Sequence, residues 1–484
     1  MSGSKNQNVS KNYIYNLIYQ IVAIIAPIIT APYLARVLTP DGVGTYQFLY
    51  SIVYLISIII VLGTSSYAMR EIAYHQSNKE EVTQLFVEVA TLRLLIFIIG
   101  IIPYIVISLF SEYKVLLLIM SLYLFSVVFD LSWFYHGMER FAIVTIRNVV
   151  VRVFTIALIF IFVKSINDLW AYALIICGSA AVGSISEFFP LYRFIDLRLV
   201  KRINIKQHVK PSLVLLLPTI AISIYTLLDK ILIGVLSTND EVGFYSQVES
   251  LVKMCMTVIT ALSTALLPRI ANLIAAGDEE LVKKQIVQSC RFVFFLGLPM
   301  AMGMISISPI FIPLFLGPGY EKSIVVMQIL PTIVLIIGFA SVSGAAVMIP
   351  LKRQKQYTIC VFSGAIVNLA LDCALIPFFG SIGATIGTIF AELTVLILEL
   401  FFIRDYLQIS LIIKKTWKYF VAALLMSGVT IPEGLLLKPT ILYNLILVFS
   451  GIIVYILVVL LLKDDYFFSF FSSIKEKLRR TKNN

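Results

Sequence analysis

Six basic side chains sit inside stretches otherwise built from Leu, Ile, Val, Phe and Ala: Arg93, Arg147, Arg152, Lys230, Lys253 and Arg291. Guanidinium groups bind oxyanions through paired, charge-assisted hydrogen bonds, and ammonium groups hold them as point charges. Acids are set among the same runs. Asp229 precedes Lys230, Glu249 lies four residues before Lys253, Asp372 follows Asn368 by one turn, and Glu392 and Glu399 are seven apart. Carboxylates in apolar surroundings hold protons or sodium, or neutralise a neighbouring base. The chemistry on offer is therefore anion binding, with cation binding beside it.

Covalent chemistry has no such support. There is no Gly-x-x-x-x-Gly-Lys-Ser/Thr phosphate loop. The five cysteines (177, 255, 290, 360, 373) lie in apolar stretches without a CxxC pair, and no Cys/His set has zinc spacing. His75, His136 and His208 fall in connections predicted below to be cytoplasmic. We expect no catalytic residue, no metal and no cofactor. The outer connections, about ten residues or fewer by span length, also leave little room for the acceptor chemistry of a glycan polymerase.

The elements that must position these groups are set by composition. The 484 residues are 60% hydrophobic and 13% charged, with a mean hydropathy of +0.96. Soluble domains run near 45–50% apolar and about 25% charged, so a soluble enzyme or DNA-binding factor is excluded. A bilayer-crossing helix needs about 20 mainly apolar residues. Fourteen such runs are predicted: 13–35, 45–66, 85–110, 113–134, 143–163 and 168–190, then 211–236, 243–267, 286–316, 322–349, 357–378, 382–403, 417–436 and 441–462. With the N-terminus inside, and with Lys114, Lys322 and Lys418 at the first or second position of their runs counted with the adjoining loops, inner loops and tails hold 27 basic residues and outer loops five (Arg36, Lys114, Lys164, Lys322, Lys438). Positive charge collects on the cytoplasmic side, so both termini are expected there. The net charge of +11 is thereby a membrane-surface feature, as is the basic run 475–480, and no nucleic-acid partner is expected.

Depth sorts the six embedded bases. If all faced lipid they would cost roughly 15–20 kcal/mol. Arg147 and Arg291 lie about 6–8 Å from the inner ends of their spans and could snorkel. Arg93 and Arg152, about 12–14 Å deep, are expected beside a wet cavity, with Asn148 one turn from Arg152. For the pairs Asp229/Lys230 and Glu249/Lys253, mutual neutralisation stands beside a functional role.

Asp41-Gly-Val-Gly-Thr-Tyr46 opens the second run and Asp240-Glu-Val-Gly-Phe-Tyr245 the eighth. Chance reuse of turn residues competes with an internal repeat here. With six spans per half, two lobes of like orientation follow (1–200 and 201–410), then a terminal pair with the basic tail (411–484). Pro27 and Pro32 in the first span and Pro218 in the seventh are candidate hinges.

Trp133-Phe-Tyr-His-Gly-Met-Glu-Arg140 with Asn148 and Arg152 resembles the span-four to span-five signature of Wzx-type polysaccharide-biosynthesis flippases. Ala35-Arg36 through Tyr46 resembles that family's first outer loop. Asp229 to Gly234, Val242 to Tyr245, Leu267-Pro-Arg269 and Asn368 through Pro377 to Ala384 extend the likeness in order over spans one to twelve. The resemblance implies an all-α integral membrane protein of the V-shaped fold shared with multidrug/toxin extruders and the lipid II flippase, with two six-helix lobes and two further helices. It implies a cargo of undecaprenyl-diphosphate-linked oligosaccharide, turned to the outer leaflet of a bacterial cytoplasmic membrane by alternating access. Expected partners are membrane lipids and the polymerase and glycosyltransferases of the same pathway. In that reading Arg36, Arg93, Asn148, Arg152, Lys230 and Lys253 contact the diphosphate, and Asp229, Asp372 and Glu392 hold a coupling ion. An ion-coupled drug extruder of the same superfamily and a non-transporting scaffold are the alternatives.

Overall fold

The computed structural model describes the backbone of residues 2–436 and 440–468, with side chains described there except at 2–19, 23, 24, 217–219, 221, 222, 224, 225, 262–265, 435 and 436. The Pro218 side chain, Lys438 and the basic run 475–480 fall outside the described residues. Among the described residues the only regular structure is helix, as expected. Eleven helical segments among the described residues are long and apolar enough to cross a bilayer. The chain divides into two compact units, residues 1–243 and 244–484.

The first unit holds α1 (Ser2–Val61), α2 (Thr64–His75), α3 (Lys79–Leu109), α4 (Lys114–Phe129), α5 (Ser132–Gly137), α6 (Phe141–Phe162), α7 (Leu169–Ser186) and α8 (Lys206–Leu236). α1 joins the first two predicted spans. Its dihedrals leave the helical region at Thr39 (φ 60°, ψ 173°), the residue before Pro40, where the proline ring disfavours the α region. Pro27 and Pro32 lie inside the helical part of α1, so its break is neither of the expected hinge positions.

The predicted fourth span is interrupted. α4 stops at Phe129, Asp130 is extended, and the chain restarts as α5. Two side chains from other helices hydrogen-bond the backbone there. Arg93 Nη1 donates to the Asp130 carbonyl at 3.1 Å, and Glu187 Oε2 accepts the Leu131 N–H at 2.6 Å. A buried break without such partners would leave polar groups unsatisfied in an apolar medium. Trp133, Phe134 and Tyr135 of α5 then pack into a buried cluster with Ile72, Phe86 and Val144.

The second unit contains most of α9 (Asn239–Ala275), then α10 (Glu279–Phe315), α11 (Glu321–Ile329), α12 (Ile333–Ala340), α13 (Gln354–Phe379), α14 (Ser381–Phe402), α15 (Ile409–Leu436) and α16 (Ile441–Leu461). Between α11 and α12 a 3-10 turn carries Pro331, which lacks the N–H an α-helix would use. After α12 the chain widens to a π-helix over Ser341–Met348.

Arg291 fastens the terminal helices. The expectation that it snorkels is corrected, because it is 2% exposed. Its Nη2 lies 3.1 Å from Asp464 Oδ2 and 2.7 Å from Asp465 Oδ1, both just beyond α16. Tyr419 of α15 donates to Asp464 Oδ1 at 3.0 Å. The Arg291 guanidinium, with Lys415 beside it, holds the Asp465 carboxyl well below the usual carboxylate range. A depressed carboxylate contributes stability above its unfolded pKa and loses it only as pH falls through the folded one, so this contribution is fully present at neutral pH. Arg291→Ala strands Asp464, itself 1% exposed. We expect a loss of about 3–5 kcal/mol, read as a lower melting temperature and faster proteolysis between α14 and α15.

Candidate functional site

Arg152 stands at the middle of α6, about 15 Å from either end. At 100° per residue it lies about 20° from Thr145 and Ile159 and about 160° from Phe154. Thr145 and Ile159 are buried, whereas Phe154 is 63% exposed. Arg152 thus occupies the inward stripe of its helix. It is nevertheless exposed, and it makes no hydrogen bond or ion pair among the described residues. Its electrostatic neighbours are Tyr50 of α1 and Tyr172 of α7. Asn148 is half-buried one turn away. The opposite, Phe154 side borders an apolar groove of about 770 Å³ between α6 and α7, lined by Val150, Leu158, Trp170, Leu174 and Gly178. An uncompensated cation at mid-helix belongs on a wet surface, and the inward stripe is where the fold puts it.

Arg93, expected beside an open cavity, is instead 1% exposed. Its Nε donates to Thr64 Oγ1 at 2.6 Å and its Nη2 to Ser65 Oγ at 2.7 Å, and the group lies 5.1 Å from the Trp133 ring centroid. With Nη1 on the Asp130 carbonyl, every nitrogen of this guanidinium is engaged by the protein. Arg147 is corrected likewise from a snorkelling residue to a buried ion pair. Its Nη2 meets Glu187 Oε1 at 2.6 Å and Asp130 Oδ1 at 2.9 Å. Both guanidinium groups are thus held by protein partners.

The other expected anion contacts are varied. Arg36 is exposed and donates to the Pro32 carbonyl at 3.1 Å. Lys230 is half-buried on α8 beside Asp229, which is 5% exposed. Lys253 is exposed and pairs with Glu249 at 2.5 Å. In the second unit Asn368 and Asp372 are both buried on α13. A Cβ added to Gly387 of α14 would fall 2.1 Å from Asp372 Oδ1, so that glycine is what admits the carboxylate. Glu392 is 8% exposed. Glu399, one face with it, accepts from Ser343 Oγ of the π-helix at 2.5 Å.

Sequence reasoning missed Glu88 and set His208 aside. His208 is 4% exposed, with Nε2 at 2.6 Å from Glu88 Oε2 and Nδ1 at 2.8 Å from the Tyr67 hydroxyl. Glu88 follows Gln84 by one helical turn, a polar pair at the start of an apolar span that periodicity could have revealed.

Comparison with known proteins places these features in a family. The profile of the polysaccharide biosynthesis protein family matches residues 9–274, and the MatE profile matches 215–373. A protein of Escherichia coli K12, named provisionally as an O-antigen transporter, is 24% identical over 82% of this chain and 96% of its own length. One of Shigella flexneri, similarly named, is 24% identical over 78% and 94%. In fold the chain is similar to the lipid II flippase MurJ in its inward closed conformation (TM-score 0.68, 16% identity, 94% of this chain and 99% of that one). It is also similar to an inward-facing multidrug transporter of the MATE family (TM-score 0.64, 15% identity, 82% and 96%). The chain belongs to the polysaccharide biosynthesis protein family, as a Wzx-type flippase of the multidrug/oligosaccharidyl-lipid/polysaccharide exporter superfamily.

Proposed function

We propose that this flippase carries undecaprenyl-diphosphate-linked oligosaccharide repeat units from the inner to the outer leaflet of a bacterial cytoplasmic membrane by alternating access, with both termini cytoplasmic. The observation that carries the reading is Arg152, a cation with no protein partner among the described residues on the inward stripe of a membrane helix. A diphosphate supplies the paired oxygens a guanidinium is shaped to bind. Tyr50 and Tyr172 beside it present faces and hydroxyls of the kind that suit sugar rings. Lys230, Arg36, Asn148 and Lys253 extend the anion path, and Arg93 serves it by holding the α4–α5 break in place. Asp229, Asp372 and Glu392 are each candidate coupling-ion positions, and Pro27, Pro32 and Pro218 are the hinge candidates. The lobes are 1–200 and 201–410, followed by the terminal pair. The glycosyltransferases that build the cargo and the polymerase that consumes it are its partners.

The test is the purified chain in vesicles holding fluorescent undecaprenyl-diphosphate oligosaccharide, with leaflet exposure followed by quenching. A hydrogen bond to a charged group contributes about 1.5–3 kcal/mol, so Arg152→Ala should slow transfer about 10- to 100-fold, with Arg152→Lys between. Undiminished transfer by Arg152→Ala would remove the anion site, and no transfer by the unaltered chain would remove the function.

A further inference from the structure

The connection from α7 to α8 joins the predicted sixth and seventh spans, where a two-lobed transporter needs a tether. It contains only two short 3-10 turns, so its backbone groups must find partners elsewhere. One face of α3 supplies them. Thr83 Oγ1 accepts the Asp196 N–H at 3.2 Å. Gln84 Oε1 accepts the Lys201 N–H at 2.9 Å, and its Nε2 donates to the Arg202 carbonyl at 3.0 Å. Glu88 Oε1 accepts the Asn204 N–H at 2.8 Å, while Oε2 accepts from Gln207 Nε2 at 2.8 Å and from His208 Nε2 at 2.6 Å. Gln84 and Glu88, one turn apart, share a helical stripe, and Thr83 lies to one side of it.

Glu88 is the centre of this arrangement. It is 2% exposed, and Gln84 also donates to its Oε1 at 2.7 Å. A carboxylate accepts only, so His208 carries a proton on Nε2. Tyr67 of α2 then closes the set on Nδ1, tying α2, α3 and the first turn of α8 together. A polar recess of about 470 Å³ lies alongside, lined by Glu71, His75, Glu81 and Lys201 with the residues above.

We infer that the α7–α8 connection is a clamp rather than a free tether, with Glu88 as its positioning residue. The clamp makes the first turn of α8 part of the body formed by α2 and α3, so α8 bends beyond His208. It thereby sets the position of Asp229 and Lys230, about 31–33 Å further along the same helix. Its consequence for transport rests on the function proposed above; the clamp itself does not.

Hydrogen exchange on the full chain in nanodiscs reads the clamp directly. Amides of 196–208 should exchange about tenfold faster or more in Glu88→Ala and Gln84→Ala, with α4 and α6 unchanged. Glu88→Gln, which keeps the acceptor for Asn204, should lie between and covers a failure of Glu88→Ala to fold. In vesicles, Glu88→Ala should slow lipid-linked oligosaccharide transfer about tenfold. A Thr83→Cys/Asp196→Cys disulfide added to it, with Cys255 and Cys373 changed to Ser, should restore most of that rate when oxidised and lose it when reduced. Unchanged exchange overturns the clamp. Faster exchange with full transfer, or a formed disulfide that restores nothing, overturns the positioning role. An unaltered chain that moves no cargo overturns the proposed function instead, and the exchange comparison still decides the clamp.

Discussion

Arg147→Ala is expected to lower the yield of folded protein severalfold and to depress its melting temperature more than any other single charge removal in the first unit. The reason is what the substitution leaves behind. The Glu187 side chain is fully buried, and Arg147 reaches its Oε1 through Nη2 at 2.6 Å and Nε at 3.2 Å. The same guanidinium holds Asp130 Oδ1 and Ser132 Oγ. Without it the fully buried Glu187 carboxylate is left without its cation beside Asp130, and removing one partner of a buried pair costs about 3–5 kcal/mol. Total stability is commonly about 5–15 kcal/mol, so the effect is a large share of what holds the unit together. Arg147→Met with Glu187→Gln tests the mechanism, since the amide still accepts the Leu131 N–H and the one charge left is that of Asp130, whose side chain is 31% exposed. The double variant should recover at least half the lost melting temperature. A single variant that melts with the unaltered chain would show that this ion pair does not hold the α4–α5 break.

The spans were legible because about twenty apolar residues in a row have one solution in a bilayer, and even the turn between the first two predicted spans falls at the structural break, marked by Pro40. Partners were not legible. Depth along a helix is a one-dimensional measure, and it made Arg147 look like a snorkelling residue when its carboxylate lies 40 positions away. The partner of Arg291 lies 173 positions away, beyond the last membrane helix. Arg93 drew the same wet-cavity reading as Arg152 from the same depth, yet hydroxyls on α2 and a freed carbonyl satisfy it. Only a broken helix creates that carbonyl, and the run 113–134 gives no hint of the break. What separates the two arginines is helix face, and Arg152 declares its own through Thr145 and Ile159.

The second large effect tests whether the repeated Asp-x-Val-Gly motif is more than reused turn residues. Within the first unit the two copies meet through their glycines. A Cβ on Gly44 would fall 1.7 Å from the Asn239 carbonyl oxygen and 2.8 Å from the Gly243 nitrogen, and one on Gly243 would fall 2.3 Å from the Pro40 oxygen. The Asp240 carboxylate feels the charge of Asp41, its counterpart in the other copy. Matching positions of the two copies thus stand in reciprocal contact. The obstacles are backbone atoms, which cannot rotate aside as a side chain can. Gly44→Val therefore has to part α1 from the start of α9. Overpacking a well-filled site costs about 1–3 kcal/mol, and backbone obstruction puts this variant at the upper end or beyond, with transfer in vesicles reduced at least about tenfold. Gly178→Ala is the control, because a Cβ there meets nothing within 4 Å, and it should melt and transport as the unaltered chain does. Should Gly44→Val match that control, the copies do not touch as described.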